Sequence, residues 1–143
     1  MEIELKKLSS DGKIAYLIKP ILTVLQDAGG KLDRTEIKNR ISDLDDQIAE
    51  FAEAVKTSKS TGNTYKEFNF TIKDLSFTEL VSYTKGNPTI TLTKKGLEID
   101  VDSLDVEKEI MIPSKKFWNE LSEKNKTQHN IETNVTETNV DES

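Results

Sequence analysis

The stretch GNPTITLTKKGLEI, residues 86–99, holds a turn signal, an alternating strand and a closing glycine in one short run. Ile90 and Leu92 alternate with Thr89, Thr91 and Thr93, so one face is apolar and the other carries hydroxyls. Upstream, Leu80-Val-Ser-Tyr-Thr84 is a second β-prone run, and Lys85-Gly86-Asn87-Pro88 supplies turn residues between the two. Together they predict a β-hairpin. Val81 and Tyr83 share one face of its first strand, and Ile90 and Leu92 share one face of the return strand. The Lys94-Lys95 pair and Gly96 end the hairpin.

The segment before the hairpin is ambiguous by periodicity. Phe68, Ile72 and Leu75 fall at helical spacing, whereas Phe68, Phe70 and Ile72 alternate as in a strand. We read a helix across about 64–78. The polar run TSKSTGNT, residues 57–64, reads as a loop. Nearer the start, Ile14, Leu17, Ile18, Ile21, Leu22 and Leu25 form one helical face that Gly29-Gly30 terminates. Pro20 inside it predicts either a kink or a fresh helix start. Lys31-Leu32 reads as a short extended piece. Asp33 with Glu36 three residues later has capping-box spacing, opening a helix with Ile37, Ile41 and Leu44 inward. Ile48, Phe51 and Val55 continue the stripe after a break near 42–46.

Composition bounds the rest. The chain has 143 residues, 34% of them apolar, enough for one core with some chain outside it. It contains no cysteine, which excludes disulfides, thiolate metal sites and cysteine nucleophiles. No apolar run approaches the roughly 20 residues of a membrane span, and the first residues lack the apolar stretch of a secretory signal, so a cytoplasmic location is expected. The net charge of −6 is unevenly spread. Residues 1–100 carry 15 Lys/Arg against 16 Asp/Glu, residues 101–143 carry 5 against 10, and residues 56–95 carry 7 against 3. Acidity therefore gathers at the C-terminal end, with a basic balance around the hairpin.

The expected organisation is an N-terminal arm (1–13), a folded domain (14–100), an extension (101–126) and a disordered acidic tail (127–143). Ser114 is placed to cap a short helix in the extension, carrying Phe117, Trp118 and Leu121, which packs either on the domain or on a partner. In the tail Glu132-Thr-Asn-Val is repeated at Glu137-Thr-Asn-Val, with almost no large apolar residue.

Helix, short strand, helix, further helix, helix, hairpin is the order of a winged helix-turn-helix. Particular residues narrow the resemblance. Pro20-Ile-Leu-x-x-Leu25 precedes the glycine pair, Glu36-Ile37 opens the second helix, an aromatic-led helix starts at Phe68, and Leu92-Thr-Lys-Lys-Gly96 closes the hairpin. Over about residues 14–99 the chain thus resembles the N-terminal winged-helix domain of Mrr-like restriction endonucleases. It departs from the family in having FTELVSY where an Ala-Gly-Leu usually precedes the first wing strand. The resemblance implies an α+β fold, a helical bundle with a C-terminal hairpin wing, here followed by the acidic tail. It also implies double-stranded DNA as partner and a restriction or defence context, in which such a domain is joined to a nuclease domain.

The candidate DNA contacts are Lys59, Ser60, Thr61, Asn63, Thr64, Lys66, Asn69 and Lys73 on the loop and helix, and Lys85, Lys94 and Lys95 on the hairpin. Lysines and threonine hydroxyls suit phosphate oxygens; asparagine pairs with adenine and lysine with guanine in the major groove. Residues 101–143 form a linker if the chain is a fragment, and a tail if it stands alone. The other reading is a protein-interaction winged helix, or a small transcriptional regulator with no nuclease role. Its partner would engage Phe117, Trp118 and Leu121, and a homodimer is compatible with it. Catalysis by this chain itself is not expected, nor is a cofactor or a metal. His129 is the single histidine and lies in the tail, and no nucleophile elbow, phosphate loop or dinucleotide fingerprint occurs. Glu36-Ile-Lys38, the nearest match to a nuclease motif, is an ordinary amphipathic pattern.

Overall fold

The computed structural model describes residues 4–57 and 65–131. Among them, six α-helices surround a small three-stranded antiparallel sheet: α1 (Ser10–Asp27), β1 (Lys31–Asp33), α2 (Arg34–Leu44), α3 (Asp46–Thr57), α4 (Lys66–Phe77), β2 (Val81–Ser82), β3 (Thr89–Leu92), α5 (Lys94–Glu98) and α6 (Ile112–Ile131). The fold is α+β and mostly helical. None of the described helices is long and apolar enough to cross a membrane.

Helix α1 is the central rod. The Ser9 hydroxyl accepts the Gly12 N–H at 3.1 Å to start it, and Leu17, Ile18, Ile21, Leu22 and Leu25 are fully buried. Pro20 neither breaks the helix nor restarts it. Buried residues on both sides of the proline hold one continuous element against the core. At the other end Gly29 takes a positive φ of 87°, and Gly30 N–H donates to the Leu25 carbonyl at 2.7 Å. Between α2 and α3, Asp45 accepts from the Gln47 N–H and, through its other oxygen, from the Tyr16 hydroxyl, each at 2.8 or 2.7 Å, tying the break to α1.

The ambiguous segment is helical. Phe68, Ile72 and Leu75 face the core without exposure, while Phe70 is 40% exposed, so the 3.6-residue period outweighs the local β propensity. Helix α4 ends with Glu79 at φ 66°, where Glu79 N–H reaches the Ser76 carbonyl and Leu80 N–H the Leu75 carbonyl.

The sheet order β1-β3-β2 makes β3 the central strand. Leu32 pairs with Ile90 on one side and Val81 with Leu92 on the other. The hairpin is shorter than its sequence pattern, because β2 holds only Val81 and Ser82, and Tyr83 already belongs to the loop. Thr89 and Thr91 are half-buried, paired with Asp33 and Lys31 of β1. Lys94 and Lys95 do not extend the hairpin but begin α5, where the Thr93 hydroxyl accepts the Gly96 N–H at 3.1 Å. Gly96 packs so closely that a Cβ there would overlap the Leu80 carbonyl oxygen.

The folded unit reaches past both ends of the expected 14–100 span. Leu5, Val101, Leu104 and Ile110 are buried in the same core. The expected short helix is instead the long α6, preceded by a π-helical turn over Glu107–Met111. Its backbone continues to Ile131, into the segment expected as tail; residues 132–143 lie outside the described residues. Helix α6 docks on α4 through aromatics. Trp118 meets Phe70 and Phe77 edge-on at 5.7 and 5.2 Å, and Phe117 stacks on Phe77 at 5.2 Å. Trp118 Nε1–H donates to Asp74 Oδ1 at 2.7 Å, and the buried Ser114 hydroxyl donates to the Asp74 carbonyl at 3.3 Å. Burial holds the Asp74 carboxyl above the usual carboxylate range, partly offset by the Trp118 hydrogen bond and reinforced by the charge of Asp11.

Two outcomes follow from this packing. Gly96→Ala is expected to cost about 1–3 kcal/mol or more in urea unfolding, because the added carbon meets backbone and not a yielding side chain. Asp74 titrates higher folded than unfolded, so its ionisation removes stability as pH rises through the unfolded value, and that loss persists above the folded one. Asp74→Asn keeps an acceptor for Trp118 without the charge. It should melt higher than the parent at neutral pH, and the two should converge near pH 3, where both forms are uncharged; a lower melting temperature at neutral pH would show that the buried charge is already compensated.

Candidate nucleic-acid interface

Three elements meet at one guanidinium. Asp33 Oδ1 accepts the Glu36 N–H at 2.8 Å and starts α2, placing Arg34 in its first turn. The Arg34 backbone N–H donates to the Pro88 carbonyl at 2.9 Å, which fastens the hairpin loop to the start of α2. Its side chain donates from Nη1 to Asn69 Oδ1 of α4 at 3.3 Å, and the guanidinium lies 5.2 Å from the centroid of the Tyr83 ring. Asn87 N–H bonds the Thr84 carbonyl, and Gly86 supplies the positive φ of 86° that this turn requires.

One turn further along α2, Lys38 Nζ sits 5.2 Å from the Phe68 ring centroid and 5.9 Å from that of Tyr65. Burial, then the nearby Arg34 charge, lowers its pKa. The Tyr65 hydroxyl is buried with no hydrogen-bond partner among the described residues, and burial raises its pKa. On α4, Lys66, Asn69 and Lys73 follow at i, i+3 and i+7, one stripe of the helix surface. A cleft of about 710 Å³ separates Arg34, Asn69, Lys73 and Tyr83 from Trp118 and Leu121 of α6. None of Arg34, Lys38, Lys66, Lys73 or Lys85 forms an ion pair among the described residues; the two pairs there are Lys7–Glu4 and Arg40–Glu36.

The expected contact residues divide into three groups. Lys66, Asn69 and Lys73 lie together on α4, and Lys85 lies in the hairpin loop that Arg34 fastens beside them. Lys94 and Lys95 fall at the far end of the hairpin, where Lys95 Nζ donates to the Thr78 carbonyl at 3.2 Å, so they do not join the cluster. Lys59, Ser60, Thr61, Asn63 and Thr64 lie outside the described residues. The hydroxyl of Thr93, expected to face outward, is consumed by donating to the Glu79 carbonyl at 2.6 Å and capping α5. Of the residues expected to meet a protein partner, Trp118 is taken up by Asp74 and the α4 rings, Leu121 lines the cleft, and Phe117 stays 43% exposed.

Arg34 and Lys38 are the residues that sequence reasoning missed. A signal existed: they stand at i and i+4 directly after the Asp33 cap, so they share one face of α2. What the sequence lacked was the contact that turns this face toward Asn69. No protein-family model, curated protein or solved structure matches the chain.

Proposed function

We infer that the chain is a winged-helix module that binds double-stranded DNA. In this reading α4 enters the major groove, the β2–β3 loop is the wing resting on the backbone, and Arg34 and Lys38 of α2 grip phosphates alongside. The observation that carries it is that Arg34 of α2 bonds Asn69 of α4, that Lys73 lines the same cleft and Lys66 shares their stripe, and that none of these cations forms an ion pair among the described residues. A chain of net charge −6 has little reason to gather cations on one face unless an anion completes it. The cations supply affinity; Asn69, partly held by Arg34, is the group suited to read a base edge.

The resemblance to the N-terminal domain of Mrr-like restriction endonucleases adds a context. The chain would be the DNA-recognition part of a restriction or defence system, contributing binding and no catalysis. A protein-interaction role is the second reading, favoured by the exposure of Ile112 (53%) and Phe117 (43%) outside the basic face.

The test is duplex binding by fluorescence anisotropy across a salt series. Each phosphate neutralised contributes about 0.9 to the slope of log K against log salt, so Arg34→Ala with Lys73→Ala should flatten the slope by nearly two. Lys94→Ala, outside the cluster, should leave the slope unchanged. Equal losses from both variants would mean general charge attraction and not this face, and no binding at low salt would favour the protein-partner reading.

A further inference from the structure

A second groove, of about 570 Å³, runs between the first turn of α1, α4 and the start of α6. Its floor and walls are apolar and aromatic, with Phe70, Trp118 and Ile112 prominent, and Phe70 and Ile112 are 40% and 53% exposed. Asp11, Asp74 and Glu107 line it against a single cation, Lys115. Asp74 is the informative member. It is only 3% exposed, it stands on the groove wall, and its one described side-chain hydrogen bond comes from Trp118 to Oδ1.

The geometry points to a binding site for an organic ammonium ion that carries an aromatic or branched apolar group. The apolar part would lie against Phe70, Trp118 and Ile112, and the ammonium would pair with the Asp74 carboxylate, with Asp11 and Glu107 adding negative potential. Two other occupants fit less well. A bare metal ion needs convergent ligands, and no three acidic or histidine side chains gather closely enough among the described residues. An anion would meet three carboxylates, and at the start of α1 the Ser9 hydroxyl already takes the Gly12 N–H while Asp11 fills the first turn. The proposal does not depend on DNA binding, although Phe70 and Trp118 also border the cleft beside Arg34.

Trp118 is the only tryptophan in the chain, so its emission reports on this groove. The full chain would be titrated with 4-phenylbutylamine, protonated at neutral pH, and in parallel with 4-phenylbutanol and 4-phenylbutyrate. A saturable change with the amine is expected, with the alcohol about tenfold weaker or worse and the carboxylate inert. Asp74→Asn, which retains an acceptor for Trp118 Nε1, should abolish the preference for amine over alcohol. An alcohol that binds as tightly as the amine, an Asp74→Asn variant that keeps the preference, or no saturable change with the amine would each overturn the proposal. The aromatic bands of the circular dichroism spectrum, compared between parent and variant, confirm that the groove remains assembled.

Discussion

The turn at Thr93 is the constraint on which the sheet end of the molecule depends. Its hydroxyl donates to the Glu79 carbonyl at 2.6 Å and accepts the Gly96 N–H at 3.1 Å, while its backbone N–H donates to the Leu80 carbonyl at 3.0 Å. One residue thereby joins the end of α4, the end of β3 and the start of α5. The joint closes only if α5 approaches the Leu80 backbone closely, which is why a side chain at Gly96 cannot fit. Glu79 holds a left-handed conformation that disfavours its side chain, and the surrounding hydrogen bonds compensate for it. Beyond the joint, Gln26 of α1 donates to the carbonyls of Gly96 and Ile99 at 3.0 and 2.9 Å, so α5, which follows the hairpin directly, is anchored to the central helix.

Anchored at its base, the hairpin is fastened at its tip by the Arg34 N–H on the Pro88 carbonyl. A two-residue strand such as β2 would be a weak arm by itself; held at both ends, it presents Tyr83 and Lys85 at a set place beside α4. Helix α6 shapes what remains accessible. Docked against Phe70, Asp74 and Phe77, it packs on one flank of α4 and leaves Lys66 and Asn69 exposed, with the Lys73 ammonium over the Phe77 ring. In the proposed complex α4 would therefore lead with its N-terminal turns, with the wing on one side and α6 bounding the other.

Much of the fold was legible because it rests on local pattern. The Leu92-Thr-x-x-Gly96 run encodes a strand end, a helix cap and a close approach, and the Asp33-Glu36 spacing and Gly29-Gly30 pair mark helix ends that the structure also has. What pattern could not convey is which strand lies in the middle. The pairing of β1 with β3 spans more than fifty residues, and it is this pairing that half-buries Thr89 and Thr91. The same limit applies to the candidate interface. Lys66, Asn69 and Lys73 share a stripe by helical spacing alone, but Arg34 joins them only through Asn69 and Tyr83, two contacts distant in sequence. Sequence alone left open whether Trp118 packs on the domain or on a partner molecule, because the group that holds it, Asp74, is a charged residue in the middle of another helix.

The most direct measurement is an amide chemical-shift map of the isotopically labelled chain titrated with a short DNA duplex at low salt. The largest shifts are expected at Arg34 and Lys38, at Lys66, Asn69 and Lys73, and through residues 83–88, with α3 and α5 left almost unmoved. Shifts centred on α5, or on the exposed Ile112 and Phe117 with the Arg34 face silent, would contradict the proposed interface.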